Sequence, residues 1–69
     1  MTIGTVKWFN QTKGYGFIQP DNGGEDHFVH ITSVHHAGLD ILQQGQKIEF
    51  NSIDNHGRKA AAQLVLLLS

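Results

Sequence analysis

The chain has no cysteine, so disulfides and thiolate metal sites are excluded and a reducing compartment suits it. Apolar runs are short: the longest, Leu64 to Leu68, cannot cross a bilayer. No N-terminal stretch pairs a basic start with an apolar run as a secretory signal does. The expectation is a cytoplasmic protein with no membrane partner. Catalytic furniture is scarce as well. There is no thiol, no pair of carboxylates at a working spacing and no glycine pattern that cradles phosphate, so neither an enzyme nor a cofactor is expected. Cations are few, five in 69 residues with a net charge of −1, which argues at first against a polyanionic partner. A chain of this length makes one small domain, residues 1–69, near the lower limit for folding without staples.

What the chain does have is concentrated in Lys7–Ile18, KWFNQTKGYGFI. This stretch holds Trp8, Phe9, Tyr15 and Phe17 beside Lys7 and Lys13, and no acid. Rings are normally buried and lysines normally wet. Interleaving them forces some rings onto the lysines' exposed face, where nucleobases can stack while phosphates are neutralised. The charge is segregated to match. Residues 1–20 carry Lys7 and Lys13 without an acid, residues 21–56 carry all the acids against Lys47 alone, and Arg58 and Lys59 follow. The distribution allows a locally positive face, and the small number of cations predicts a modest electrostatic contribution.

Apolar residues alternate over short runs between Gly, Asn, Asp and Gln clusters, which reads as all-β. Strands are expected at Ile3–Asn10, Tyr15–Gln19, Asp26–Ile31, Gln46–Asp54 and Lys59–Leu67. Pro20 stops the second, because it has no N–H for a central ladder. Turns fall at Gln11–Gly14, Asp21–Gly24 and Asn55–Gly57. Thr32–Gly45 has no clean period and reads as a helical turn plus a long loop. Five short strands with one long connection suit a small closed barrel, which removes exposed edges.

Side chains alternate between faces along a strand. Ile18, Val29 and Ile31 form a purely aliphatic set that Ile48 and Phe50 can join inside. Tyr15, Phe17, Phe28 and His30 fall on the opposite face, and their phenol and imidazole favour partial wetting. Trp8 joins them and Phe9 is partly buried, since both cannot point inward without a bulge. For any single ring, core packing is the commoner fate; five such groups at matching parity beside two lysines point instead to an interaction surface. Gly14 and Gly16 suit turn and bulge chemistry, and between rings they would also let a base lie flat.

The motifs resemble a known family. KGYGFI (Lys13–Ile18) and HFVHI (His27–Ile31) look like the two ribonucleoprotein motifs of bacterial cold-shock proteins, with GTVKWFN (Gly4–Asn10) and GQKIEF (Gly45–Phe50) in the same order and spacing. The resemblance covers nearly the whole chain. It implies a five-stranded antiparallel OB-fold barrel that binds single-stranded RNA and DNA, as an RNA chaperone or transcription antiterminator. Binding positions carried over by the resemblance are Lys7, Trp8, Asn10, Lys13, Tyr15, Phe17, Asp26, Phe28 and His30. The chain also departs from the family. Ile31 and Leu39 stand where stacking aromatics are usual, Thr5 stands where a base is common, and GRKAA replaces GPQAA, which puts Arg58 and Lys59 at the rim. With about 1–3 kcal/mol per stacked base, the two aliphatic positions imply weaker binding or a shorter footprint.

Five histidines invite a metal, but His27 and His30, three apart on a strand, face opposite sides, and His35–His36 lack a third ligand; no metal is expected. His30 belongs to the ring face, where mild acid would add a phosphate contact; His56 sits in a turn. At the C-terminal end Leu64 and Leu66 can face the core. Val65 and Leu67 then point outward, to cover the barrel or to self-associate. A monomer is the expectation and a homodimer the alternative. A rival function uses the same rings to hold a protein or peptide segment.

Overall fold

The computed structural model describes residues 1–67; Leu68, the last residue of the apolar run, lies outside them. Five strands and one short helix follow in order: β1 (Thr2–Asn10), β2 (Tyr15–Pro20), β3 (His27–His30), α1 (Ile31–His36), β4 (Lys47–Asn55) and β5 (Arg58–Leu66). The strands close into a barrel in the order β1-β2-β3-β5-β4. Four of the pairings are antiparallel. The seam between β3 and β5 is parallel and rests on Phe28 opposite Ala60. No helix among the described residues is long and apolar enough to span a membrane.

Period-two alternation fills the interior. Val6, Ile18, Val29, Ile48, Phe50 and Leu64 point inward from the five strands, and Val34 of α1 and Leu42 of the following loop complete the core. Phe50 is its one aromatic ring and has no exposed surface. Leu42 was not legible as a core residue, because the loop that carries it has no period to reveal a face.

Each strand lies within one residue of its expected bounds at either end, with Pro20 as the last residue of β2, and two of the shifts have a visible cause. The third strand ends at His30 rather than Ile31, because the His30 side chain accepts from the Thr32 N–H and caps α1. Ile31 therefore enters a helical turn, half-buried against the core, instead of ending the aliphatic strand set. The helix stops at Gly38, whose φ of 82° allows a Schellman closure: Gly38 N–H donates to His35 O at 2.9 Å and Leu39 N–H to Val34 O at 3.1 Å. The other change is at the last hairpin, where β5 begins at Arg58. His56 and Gly57 both have positive φ, 55° and 80°, the geometry of a two-residue turn whose twist matches the flanking strands.

Leu64 is buried, Leu66 packs against the core and Val65 is exposed, as the alternation implied. Leu67 is half-buried and lines a shallow groove with Ile3 and Leu66.

Gly16 faces the barrel wall. A Cβ there would lie 2.3 Å from Trp8 O and 2.7 Å from Phe9 Cα, and backbone atoms cannot swing aside. The glycine thus sets how closely β1 and β2 approach, and it does not make room for a base between the rings. Gly16→Ala is expected to destabilise the fold by about 1–3 kcal/mol, seen as a drop of about 5–20 °C in Tm by circular dichroism. An unchanged Tm would refute this close-packing account.

A surface clasp ties β1 to β4 and to the turn after β2. Lys47 Nζ donates to Asp21 Oδ2 at 2.6 Å and to Thr5 Oγ1 at 2.8 Å, and Thr5 donates to Asp21 Oδ1 at 2.8 Å. The hydrogen bond from Lys47, then that from Thr5, holds the Asp21 carboxyl below its ordinary value of 3.8. A lowered folded-state pKa means that this contribution is complete above that value and is lost as pH falls through the lowered one. Asp21→Asn should lower Tm at pH 7 and flatten part of the decline in Tm below about pH 4; parallel Tm–pH curves would show that the clasp contributes nothing.

Candidate functional site

The outward face of β1–β3 is set by a bulge. Val6 pairs with Ile18 and Trp8 with Phe17, so Lys7 has no opposite number. The extra residue turns Lys7 and Trp8 to the same exposed side while Val6 stays inside and Phe9 is half-buried. Strict alternation would have separated the lysine from the ring. The sequence requires a bulge only where Trp8 and Phe9 both point inward; the strand has one at Lys7 although Trp8 points outward.

Register then builds two rows across three strands. Trp8, Phe17 and Phe28 lie side by side, and Asn10, Tyr15 and His30 form the next row. The rings brace one another. Trp8 lies 5.5 Å from Tyr15 and 5.3 Å from Phe17, Phe17 lies 5.9 Å from Phe28, and Tyr15 stacks on Phe28 at 5.5 Å and 27°. His30 extends the set 6.3 Å beyond Phe28. Trp8 keeps 41% of its surface exposed, although it is the side chain with most apolar area to hide. Edge-to-face and offset contacts of this kind each contribute about 0.5–1.5 kcal/mol, which lets the rings hold their places without a core around them.

Polar groups frame the rings. Asn10 Oδ1 accepts from Lys13 N–H at 2.9 Å, and Asn10 O accepts from Gly14 N–H at 2.8 Å, so Asn10 shapes the β1–β2 turn that presents Lys13. Gly14 takes a φ of 80° there, beneath Ile31. Lys7 Nζ meets Asp26 Oδ2 at 3.0 Å. The Arg58 guanidinium lies over the Phe28 ring, 5.5 Å from its centroid. Among the described residues Lys13, Arg58 and Lys59 have no carboxylate at ion-pair distance. Lys13 and Arg58 both border the rings, so the face is locally cationic although the whole chain is not.

His27 and His30 do take opposite sides. His27 is buried, with Nδ1 3.1 Å from Glu25 O, Nε2 2.8 Å from Ser52 Oγ and its ring 5.0 Å from that of Phe50. A carbonyl only accepts, so Nδ1 carries a proton, and in the neutral ring Nε2 then accepts from the Ser52 hydroxyl. This buttress under β3 had no sequence signal beyond a histidine at inward parity. His30 is exposed, and its Nδ1 accepts from Thr32 N–H at 3.2 Å. That nitrogen is thus part of the α1 cap. Ile31 and Leu39 are both half-buried, packed against the core.

Replacing His30 by Ala removes the cap and should cost about 0.5–2 kcal/mol of stability, whereas His30→Asn, a good capping residue, should recover most of it. Equal Tm values for the two variants would show that the cap carries no weight.

A family model described as the 'Cold-shock' DNA-binding domain matches residues 2–67. Similar proteins include a probable cold shock protein, y4cH, of Sinorhizobium fredii, 60% identical over 53 residues that cover 77% of each chain. Cold shock protein CspA of Rhizobium meliloti is 51% identical over 63 residues, 90% of this chain and 91% of the relative. The cold shock-like protein CspA of Vibrio cholerae is 47% identical over 64 residues, 93% and 91% of the two chains.

Proposed function

The chain belongs to the cold-shock DNA-binding domain family, whose members bind nucleic acid and are not enzymes, and from that premise we propose that its ring face is the binding surface for single-stranded RNA and DNA. The observation that carries this reading is the outward-facing, mutually braced set of Trp8 and His30, exposed, with Tyr15, Phe17 and Phe28, half-buried between them. Successive bases stack on these rings. Each stack is worth about 1–3 kcal/mol and tolerates any base, so sequence preference is weak and lies toward pyrimidine runs.

Lys13 and Lys59 meet the backbone directly, and Arg58 meets it from its place at the Phe28 ring. Lys7 does so in exchange for its contact with Asp26, which is then released toward a base amino group. Asn10 holds the turn that aims Lys13. Ile31 and Leu39 offer flat apolar contact without a π-face, which shortens the stacking track. Binding that competes with RNA secondary structure, and releases easily, gives the action of an RNA chaperone or a transcription antiterminator. The working unit is one domain, residues 1–69, acting as a monomer in the cytoplasm.

Titration with an oligothymidine or oligouridine should quench Trp8 fluorescence. Three to four phosphate contacts give a log–log salt slope of about −2 to −3. Phe17→Ala and Phe28→Ala should each weaken binding by about 1–3 kcal/mol while the domain stays folded. Absence of any Trp8 response at micromolar oligonucleotide would sink the proposal and favour a peptide partner for the same face.

A further inference from the structure

Arg58 is held differently from the paired cations of the chain. Lys7 and Lys47 are engaged by Asp26 and Asp21, but Arg58 has no carboxylate at ion-pair distance among the described residues. What holds its head group is the Phe28 ring. Arg58 is the first residue of β5, directly after the His56–Gly57 turn, and it is exposed. Its nearest chain acid, Asp54, is already engaged, accepting from Gly57 N–H at 3.0 Å.

The spacing over Phe28 decides what can coexist there. A base stacked on the ring needs a layer of about 3.5 Å, and a guanidinium above that base would stand about 7 Å from the ring. Arg58 Cζ stands 5.5 Å from the ring centroid, too close to leave a base between them. In the free protein the guanidinium therefore occupies the place of a base.

We infer that Arg58 works by exchange: a base displaces the guanidinium from Phe28, and the freed fork binds the backbone phosphate beside that base. The inference rests on the reading of the ring face as a single-strand interface. A guanidinium suits the task because its planar fork matches phosphate geometry and its weak hydration lets it leave water for either partner. Among the described residues no carboxylate lies at ion-pair distance from it. The consequence is selective. A ligand with a charged backbone replaces the lost cation–π contact with an ionic one, while a ligand with a neutral backbone must displace Arg58 without replacement. The Phe28 position thereby favours phosphodiester strands over other flat apolar ligands.

The test compares heptathymidine with its neutral methylphosphonate counterpart, read by Trp8 fluorescence on the full chain at several salt concentrations. Arg58→Ala should weaken heptathymidine binding about 3- to 10-fold at low salt and reduce the salt slope by about 0.7. The same variant should tighten the methylphosphonate by about 2- to 5-fold, the worth of an exposed cation–π contact. Arg58→Lys should retain the salt slope, because the charge stays. Equal weakening of both oligomers by Arg58→Ala, or an unchanged slope, would overturn the exchange while leaving the interface intact. Wild-type protein that binds neither oligomer would overturn the interface reading, and the exchange with it.

Discussion

Closing β1 onto β4 leaves an interior that Phe50 and eight aliphatic side chains fill. Protein interiors pack at crystal-like density, and beside Phe50 this small barrel takes in only the His27 imidazole, 5.0 Å away, and part of Phe9 among the described residues. Everything else about the molecule follows from that limit. Trp8, Tyr15, Phe17 and Phe28 must lie outside, and the cheapest arrangement outside is against one another. A surface cluster is thus the direct consequence of a full core.

The close strand contact at Gly16 and the bulge at Lys7 shape that outer face. With Gly16 against the Phe9 and Trp8 backbone, β1 and β2 approach too closely for a side chain on that face. The bulge then adds one residue to β1 and changes parity midway along it. Val6 serves the core at one end, Phe9 leans in at the other, and Lys7 and Trp8 are both delivered to the outside between them. Rings braced on three strands are already ordered, so a ligand does not have to freeze them on arrival, and less of the stacking energy is lost to ordering.

Charge is arranged with similar economy. The acids that make the chain net negative are partly spent on pairing: Asp21 holds Lys47 and Thr5 in the clasp, and Asp26 holds Lys7 at the edge of the rings. Such exposed pairs add little stability, but they decide which cations are available. Those without a carboxylate partner at the ring face, among the described residues, are Lys13 and Arg58, one presented by the β1–β2 turn and one by the β4–β5 hairpin. A weakly acidic protein can therefore present a cationic binding face.

Much of this was legible in the chain itself. Period-two alternation is a local property, so the strands, the apolar inner set of Ile18, Val29, Ile48 and Phe50, and the outward parity of Tyr15, Phe17, Phe28 and His30 could be read from residue order. The glycine and asparagine turns could be read as well, because their backbone preferences are intrinsic. Contacts between residues distant in sequence could not. The parallel seam at Phe28 and Ala60, the Lys7–Asp26 pair, the His27–Ser52 buttress and the seat of Arg58 on Phe28 depend on how strands separated by long loops come together. His30 shows the boundary within a single residue. Its outward face was set by parity, but its hydrogen bond to Thr32 N–H exists only because the chain turns into a helix there. Sequence determined which rings face water; closure of the barrel decided what each polar neighbour is doing there, since pairing energy depends on distance in space and not on distance along the chain.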